Sequence, residues 1–153
     1  IGIHELVIVK IIINKVGLDI LLVIKVLLLS IQTFLGGITM AENKKIVIVT
    51  GGSSGIGRCT ASALRDSGCI VYEFSRRNIP MEGITHLSVD VTDENAVNSA
   101  VKQIIQKETK IDAVINCAGF GISGAVEFTS TDQAKTQFNV NFFGTVNLTY
   151  SHG

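Results

Sequence analysis

The sequence predicts an α/β fold in which helices cover both faces of a parallel sheet. Short runs of apolar, β-branched residues alternate with longer segments whose apolar residues recur at helical spacing. A continuous apolar run is typical of a strand buried on both faces, and strands that alternate with helices pair in parallel. Glycines and capping residues mark the joins between these segments. The 153 residues leave room for one domain of ordinary size.

The first half of this pattern surrounds a glycine cluster. A strand is predicted over residues 46–49, where four apolar residues follow two lysines and precede the glycines. A helix comes next, because apolar residues recur at helical spacing until Gly68 ends it. A second strand is predicted over residues 70–75 and a third over residues 85–89. A short irregular link joins these two strands.

The second half of the pattern adds two helices and a fourth strand. Thr92 is predicted to cap the helix that follows the third strand. The fourth strand is predicted over residues 111–115. Ser130 and Gln133 have the spacing of a capping box, which would open a last helix that runs to about Tyr150. The order strand–helix–strand–strand–helix–strand–helix predicts a parallel sheet.

Composition excludes several classes of protein. The chain is 46% hydrophobic and has a formal net charge of zero, so disorder is excluded for most of it. The charge also gives no basis for binding nucleic acid through its phosphates. Cys59, Cys69 and Cys117 have no paired spacing, which favours small buried residues in a reducing compartment over disulfides or metal ligands. We therefore expect a cytoplasmic protein.

The segment before Met40 differs in composition from the rest of the chain. It is rich in Ile, Leu and Val, and charged residues interrupt it, among them Lys10, Lys15, Asp19 and Lys25. A membrane span needs about 20 mostly apolar residues, and only residues 20–38 approach this. Residues 1–39 are interpreted as an apolar leader, either non-native upstream sequence, a packed helix or a membrane anchor within residues 6–38. Residues 40–153 would form the folded domain.

A glycine-rich loop between the first strand and the first helix carries the predicted binding chemistry. Gly51, Gly55 and Gly57 would permit a tight turn, the close approach of a ligand and close packing of the helix. A helix N-terminus offers free N–H donors and partial positive charge to a phosphate group. The loop therefore predicts a dinucleotide site, with an ordinary glycine-rich turn as the alternative. Arg58 and Cys59 stand where a P-loop requires Lys and Ser or Thr, which disfavours a nucleoside triphosphatase.

Several motifs together resemble the short-chain dehydrogenase/reductase family in its ordinary rather than its extended branch. The run T-G-G-S-S-G-I-G at residues 50–57 is similar to the family's glycine motif. The run N-C-A-G at residues 116–119 resembles the family's N-N-A-G, with Cys in the second place. The run N-V-N-F-F-G at residues 139–144 resembles the family's helix motif, and D-V at residues 90–91 lies where the family contacts adenine. The resemblance covers residues 44–150.

The resemblance implies a Rossmann-type doubly wound parallel sheet, here truncated after about four strands, that binds a dinucleotide. It implies that Asn141, three residues before Gly144, is the family's catalytic asparagine. It places cofactor contacts at Gly51, Ser53, Ser54, Gly55, Ile56, Gly57, Ser75, Arg76, Asp90, Val91, Asn116, Ala118 and Gly119.

The end of the second strand indicates which cofactor is used. The family's NAD-selecting aspartate position falls on Ser75, and Arg76 falls where NADP-preferring members carry arginine. Serine does not repel a 2′-phosphate, and a guanidinium can bind it through two hydrogen bonds. We therefore predict NADP(H), with NAD(H) less favoured. Glu73 lies two residues too early to select the cofactor, and Arg77 is interpreted as a solvated charge.

The family's proton-transferring pair, Tyr-x-x-x-Lys, is absent from this chain. Tyr72 is followed four residues later by Arg76, and Tyr150 lies three residues from the end. The resemblance thus implies the cofactor-binding part of an alcohol/carbonyl oxidoreductase, inactive by itself, whose full-length form is a homo-oligomer. The alternatives are a non-catalytic dinucleotide-binding module and a membrane-anchored reductase.

The sequence also predicts where several side chains lie. Phe138, Phe142 and Phe143 are expected in the core rather than against a cofactor. His86, on a strand, is expected to be a structural residue with its hydrogen bonds satisfied. The fourth strand is expected to be an exposed hydrophobic edge, because no later strand is present to pair with it.

Overall fold

Five parallel strands form one sheet in the computed structural model, which describes residues 7–10 and 44–151. The strands are β1 (Val7–Lys10), β2 (Ile46–Thr50), β3 (Ile70–Ser75), β4 (Ile84–Ser88) and β5 (Ala113–Asn116). Their order across the sheet is β1-β5-β2-β3-β4. Because β3 and β5 pair with opposite sides of β2, the glycine cluster that follows β2 begins at the middle of the sheet. The predicted α/β fold with a parallel sheet is confirmed.

The pairing of β5 corrects one expectation. The sequence predicts an exposed edge there, but β1 pairs with β5 in parallel, from Val7 opposite Ala113 to Lys10 opposite Asn116. Residues 7–10 read V-I-V-K, a short β-branched run like those of the other strands, but from the sequence they were assigned to the apolar leader. The remainder of the apolar leader lies outside the described residues. Among the residues that are described, no helix is both long and apolar enough to cross a membrane.

The helices begin and end close to the predicted positions. They are α1 (Gly55–Asp66), α2 (Glu94–Glu108), α3 (Thr131–Phe138) and α4 (Gly144–Tyr150), with a 3-10 turn at Val126–Phe128 and a π-helical turn at Asn139–Phe143. The last predicted helix is thus three segments. The capping box is confirmed, since Ser130 accepts from the Gln133 N–H and Gln133 accepts from the Ser130 N–H.

The predicted cap of α2 is wrong by one residue. Asp93, not Thr92, is the N-cap, and its carboxylate accepts a hydrogen bond from the Ala96 N–H at 3.1 Å. Thr92 instead donates both its N–H and its hydroxyl to Asp90. A carboxylate caps a helix as well as a hydroxyl does, so local sequence does not distinguish these two positions.

Helices cover the sheet on both faces, as in a doubly wound fold. One core cluster packs α1 against the sheet through residues that include Val47, Val49, Ala61, Leu64 and Val71. The other packs α2 and α4 against the opposite face through residues that include Ile48, Phe74, Val97, Ile104 and Leu148. The α1 cluster fixes the helix that follows the glycine loop against the strand that precedes it.

The phenylalanines of the last helical segments are not in the core. Phe138, Phe142 and Phe143 are 64%, 49% and 51% exposed, and the last two rings contact each other edge to face. Neither α3 nor the π-helical turn has a buried residue, and only Gly144 and Leu148 of α4 are buried. Cys59 is likewise exposed, although Cys69 is buried as expected. Apolar character alone did not show which helix faces the sheet covers.

Candidate functional site

An open cavity of about 550 Å³ lies at the carboxyl ends of the central strands, beside the start of α1. At this place the neighbours of β2 in the sheet, β3 and β5, lie on its opposite sides. Ligands of open α/β sheets usually bind at such a position. Its walls are formed by Gly51, Ser53, Ser54, Phe74, Ser75, Arg76, Arg77, Val89, Asp90, Val91, Ala118, Gly119, Phe120, Thr136 and Val140. Most of the predicted cofactor contacts therefore come together around one cavity.

Four predicted contacts are not among the wall residues. Gly55, Ile56 and Gly57 form the first turn of α1. Asn116, at the end of β5, is only 4% exposed, and its Nδ2 has no hydrogen-bond partner among the described residues. The cavity also has walls that the sequence analysis did not single out, including Phe74, Phe120 and Thr136. These three come from separate segments, so no single motif contains them.

The glycine loop is packed so closely that a side chain on Gly51 or Gly57 would meet backbone atoms of neighbouring segments. Gly51 has a φ of +69°, and a Cβ there would lie 2.9 Å from the Ala118 Cα. A Cβ on Gly57 would lie 2.5 Å from the Gly51 carbonyl oxygen. Real Cβ contacts of this length do not occur, so a side chain at either position would force the backbones apart. The two glycines hold the loop against both α1 and the segment that follows β5.

The N-terminus of α1 has no side-chain cap. Ser54 is the N-cap residue but makes no capping bond, and the first turn contains no acidic residue. By contrast, Asp93 caps α2 and Ser130 caps α3. The first backbone bond in this helix joins the Arg58 N–H to the Ser54 oxygen, so the N–H groups of residues 55–57 precede the helical ladder. These groups and the helix dipole suit an anion such as a phosphate.

Thr50 joins the glycine loop to the segment that follows β5. Its Oγ1 accepts hydrogen bonds from the N–H groups of Cys117 and Ala118, both at 3.0 Å, and the residue is 1% exposed. This role was not foreseen from the sequence, although a threonine between a buried strand and a glycine turn is an unusual polar end for such a strand. Beside it, burial raises the pKa of Cys117 to about 11. That thiol is therefore protonated at neutral pH and is not a nucleophile.

Asn141 lies in the π-helical turn, a feature that is common at functional sites. Its Nδ2 donates to the Phe120 carbonyl oxygen at 2.8 Å, and its Oδ1 accepts from the Phe120 N–H at 3.0 Å. A Cβ on Gly119 would lie 2.8 Å from the same Oδ1. The amide therefore positions the segment that forms one wall of the cavity. A direct catalytic role of Asn141 stays a prediction.

The opposite wall carries two arginines in different environments. The Arg76 side chain is 78% exposed, and its Nη1 lies 3.8 Å from Asp90 Oδ2. The Nη2 of Arg77 lies 3.4 Å from the hydroxyl oxygens of both Ser53 and Ser54. Arg77 is therefore not merely a solvated charge, which corrects the sequence interpretation. Its guanidinium reaches the glycine loop because the backbone turns directly after β3.

Asp90 supplies negative charge at this wall. Its Oδ1 accepts hydrogen bonds from the N–H and the hydroxyl of Thr92, at 3.0 and 2.8 Å. The backbone bond from Thr92 is the largest cause that lowers the pKa of Asp90; burial opposes it, while the Thr92 hydroxyl and Arg76 add to it. Asp90 is thus ionised at neutral pH and can accept hydrogen bonds from a ligand. In residues 7–10 and 44–151, no three His, Cys, Asp or Glu side chains form a metal-binding group.

The sequence and the structure of this chain are similar to those of known proteins. The profile of the family described as short chain dehydrogenase matches residues 45–152. A 3-ketodihydrosphingosine reductase of Bacteroides thetaiotaomicron is 45% identical over 107 residues, which are 68% of this chain and 39% of that protein. The chain thus spans about two-fifths of the length of this curated relative.

Solved structures of two enzymes superpose on this chain. The ligand-free aldohexose dehydrogenase of Thermoplasma acidophilum matches with a TM-score of 0.67 at 31% identity, over 70% of this chain and 42% of that one. ElxO with NADP bound matches with a TM-score of 0.65 at 29% identity, over 71% of this chain and 48% of that one. The superposed part includes less than half of each enzyme.

Proposed function

This chain belongs to the short-chain dehydrogenase family, and we propose that its cavity binds NADP(H) for the interconversion of an alcohol and a carbonyl. The observation that carries the proposal is the close contact of Gly57 with Gly51, which brings the uncapped start of α1 to the cavity. When bound, the nicotinamide ring donates or accepts a hydride. The structure of ElxO with NADP bound supports the choice of cofactor.

The residues around the cavity fit a dinucleotide. The N–H groups at the start of α1 would hold the pyrophosphate, since Gly57 leaves no side chain in the way. Asp90 and Val91 would contact the adenine, in keeping with the position of both at the cavity wall. Arg76 and Arg77 would bind the 2′-phosphate. The neighbouring Ser53 and Ser54 carry no charge, so they would not repel it.

The two arginines are expected to set the preference for NADP(H). Arg77→Ala or Arg76→Ala should weaken NADP⁺ binding about 10- to 100-fold, because a charged hydrogen bond contributes about 1.5–3 kcal/mol. Binding of NAD⁺ should change little, because it has no 2′-phosphate. Isothermal titration with each nucleotide measures the ratio of the NADP⁺ affinity to the NAD⁺ affinity. The matched control is Lys102→Ala, which removes an exposed charge from α2. Equal losses for NAD⁺ and NADP⁺ would contradict the assignment.

Turnover is proposed to require residues beyond those described. Tyr72 is in the core, where its hydroxyl donates to Glu108 Oε1 at 2.6 Å. Burial, and then this hydrogen bond, raises the pKa of Tyr72, which keeps its proton from moving at neutral pH. Tyr150 is 78% exposed, and it is not a cavity wall residue. The chain alone should therefore bind the cofactor without oxidising NADPH, and oxidation with any ketone present would contradict this.

The substrate is proposed to be a long-chain keto compound. The support is the name of the relative from Bacteroides thetaiotaomicron, a 3-ketodihydrosphingosine reductase. Phe120, which is 43% exposed at the cavity wall, offers an apolar contact for such a chain. The measurement is oxidation of NADPH by a longer protein that includes this sequence, with a short-chain ketone as the comparison.

A further inference from the structure

A buried carboxylate and imidazole form a pair beneath the glycine loop. Glu73 of β3 and His86 of β4 stand opposite each other in the parallel register. Their Oε2 and Nδ1 atoms are 2.5 Å apart, and the side chains are 0% and 15% exposed, respectively. Neither residue is among the walls of the cavity, and neither has a role in the proposed function. The pair is nevertheless adjacent to the loop that would hold the dinucleotide.

Gly52 connects the pair to the cavity. A Cβ on Gly52 would lie 2.2 Å from the Glu73 Cγ and 3.2 Å from its Oε1, so the carboxylate lies directly below this residue. Gly51 and Ser53, on either side of Gly52, are both cavity wall residues. Glu73 therefore lies one layer of backbone beneath the loop at which the pyrophosphate would bind.

The hydrogen bonds of the pair are incomplete. Glu73 Oε1 and His86 Nε2 are both buried and have no partner among the described residues. A buried polar atom without a partner costs about 1–3 kcal/mol, and apolar side chains of similar size often replace a buried charged pair without loss of stability. Packing alone therefore does not explain why this face of the sheet carries an acid and an imidazole.

Few groups around Glu73 could balance the negative charge of its carboxylate. Val49 of β2 stands beside Glu73 and is apolar. The charged residues on the packed helix are Arg58, Arg65 and Asp66 of α1, and Glu82 lies in the β3–β4 connection. Arg76 and Arg77 directly follow β3 and lie at the cavity wall, where Arg76 is near Asp90 and Arg77 is near the Ser53 and Ser54 hydroxyls. Arg65 bonds to Asp66 and to the Glu82 carbonyl oxygen, while the Arg58 and Glu82 side chains are exposed. In the described part of the chain, the side chain bonded to Glu73 is the imidazole of His86.

We propose that Glu73 and His86 position the phosphate-binding loop and set the charge beneath it, so that dinucleotide affinity depends on one proton held by the pair. With His86 protonated, the ionised pair has no net charge. Without that proton the pair carries one negative charge beneath a site for a doubly negative pyrophosphate, and the two repel each other. Binding then favours the uptake of this proton from solvent onto the pair. The inference rests on the proposed function, because it needs a phosphate above the loop.

The test is the affinity of the full 153-residue chain for NAD⁺ as a function of pH. NAD⁺ is the clean probe, because the 2′-phosphate of NADP⁺ titrates near pH 6, like other phosphomonoesters. Affinity should fall about tenfold from the low to the high end of the pH range in which the chain stays folded, because the pair loses its proton as pH rises. A flat pH profile with binding retained would overturn the role of the pair.

Two substitutions separate the contributions of the pair. Glu73→Gln removes the charge and keeps the shape, so its affinity should not depend on pH and should exceed that of the unmodified chain at high pH. His86→Gln leaves the buried carboxylate without its partner, so the pH profile of its affinity should differ from that of the unmodified chain. Glu108→Gln is the matched control, since it alters the acid bonded to Tyr72 on the other face and should keep the original profile. Unchanged pH profiles in both Glu73→Gln and His86→Gln would contradict the proposal.

Proton uptake provides a measurement that needs no substitution. Calorimetric titration with NAD⁺ in two buffers of different ionisation enthalpy gives the number of protons bound on association. Uptake of up to about half a proton, greatest at the pH where the affinity falls most steeply and near zero well above and below it, supports the pair, and zero uptake at every pH overturns it. Failure of both NAD⁺ and NADP⁺ to bind at any pH would instead contradict the proposed function, on which the pair's role depends.

Discussion

Gly57→Ala should lower the affinity for NADP⁺ by at least about 100-fold, because a misplacement of about 1 Å at a binding site can have an effect of this size. The new Cβ would lie 2.5 Å from the Gly51 carbonyl oxygen and 2.7 Å from its carbon. Both are backbone atoms, so relief requires α1 to move away from the loop. The N–H groups that would face the pyrophosphate move with it. Titration of the folded variant with NADP⁺ measures the loss.

Gly121→Ala is the matched control for this change. Gly121 has an ordinary φ, and a Cβ there would meet nothing within 4 Å. Its affinity for NADP⁺ should stay within about twofold of the unmodified value, since uncrowded surface changes have small effects. If Gly57→Ala bound NADP⁺ as well as Gly121→Ala does, the pyrophosphate would not lie at the start of α1.

Thr50→Val should reduce the free energy of unfolding by about 3 kcal/mol, because each buried donor left without a partner costs about 1–3 kcal/mol. Valine has nearly the same shape as threonine, so the change removes the acceptor of two N–H groups, those of Cys117 and Ala118, without creating a cavity. The Ala118 backbone would then relax from Gly51, and NADP⁺ affinity should fall as well. Urea denaturation measures the midpoint and the slope of the unfolding transition, and their product is the free energy of unfolding.

The control for Thr50→Val is Thr85→Val, at an exposed position of β4. Both substitutions exchange a hydroxyl for a methyl group within a strand. Only the first removes a hydroxyl that accepts two backbone hydrogen bonds at a buried site. Equal stability of the two variants would show that the Thr50 hydroxyl does not hold the two segments together.

The parts of this protein that the sequence predicted well are those fixed by neighbouring residues. Strands β2 to β5 follow from short apolar runs, and α1 follows from the glycine spacing, because strand, turn and helix at that point are consecutive. The position of Gly57 relative to Gly51 is fixed by six residues of chain, so the close contact could be foreseen. The capping box at Ser130 and Gln133 is equally local.

The parts that the sequence did not predict depend on segments distant in the chain. Glu73 meets His86 only through the register of β3 with β4, and neither residue carries a local signal of its partner. Arg77 reaches Ser53 across more than twenty residues. Thr50 meets Cys117 and Ala118 because β5 pairs beside β2. Side-chain roles that require two strands to be adjacent become visible only once the sheet order is known.

The central claim is that the start of α1 binds the pyrophosphate of a nicotinamide nucleotide. Isothermal titration of the folded 153-residue chain with NADP⁺ and with NAD⁺ tests it most directly. We expect saturable binding at one site, with NADP⁺ bound at least about tenfold more tightly than NAD⁺, a difference of about 1.4 kcal/mol. A folded chain that shows no saturable binding of either nucleotide would contradict it.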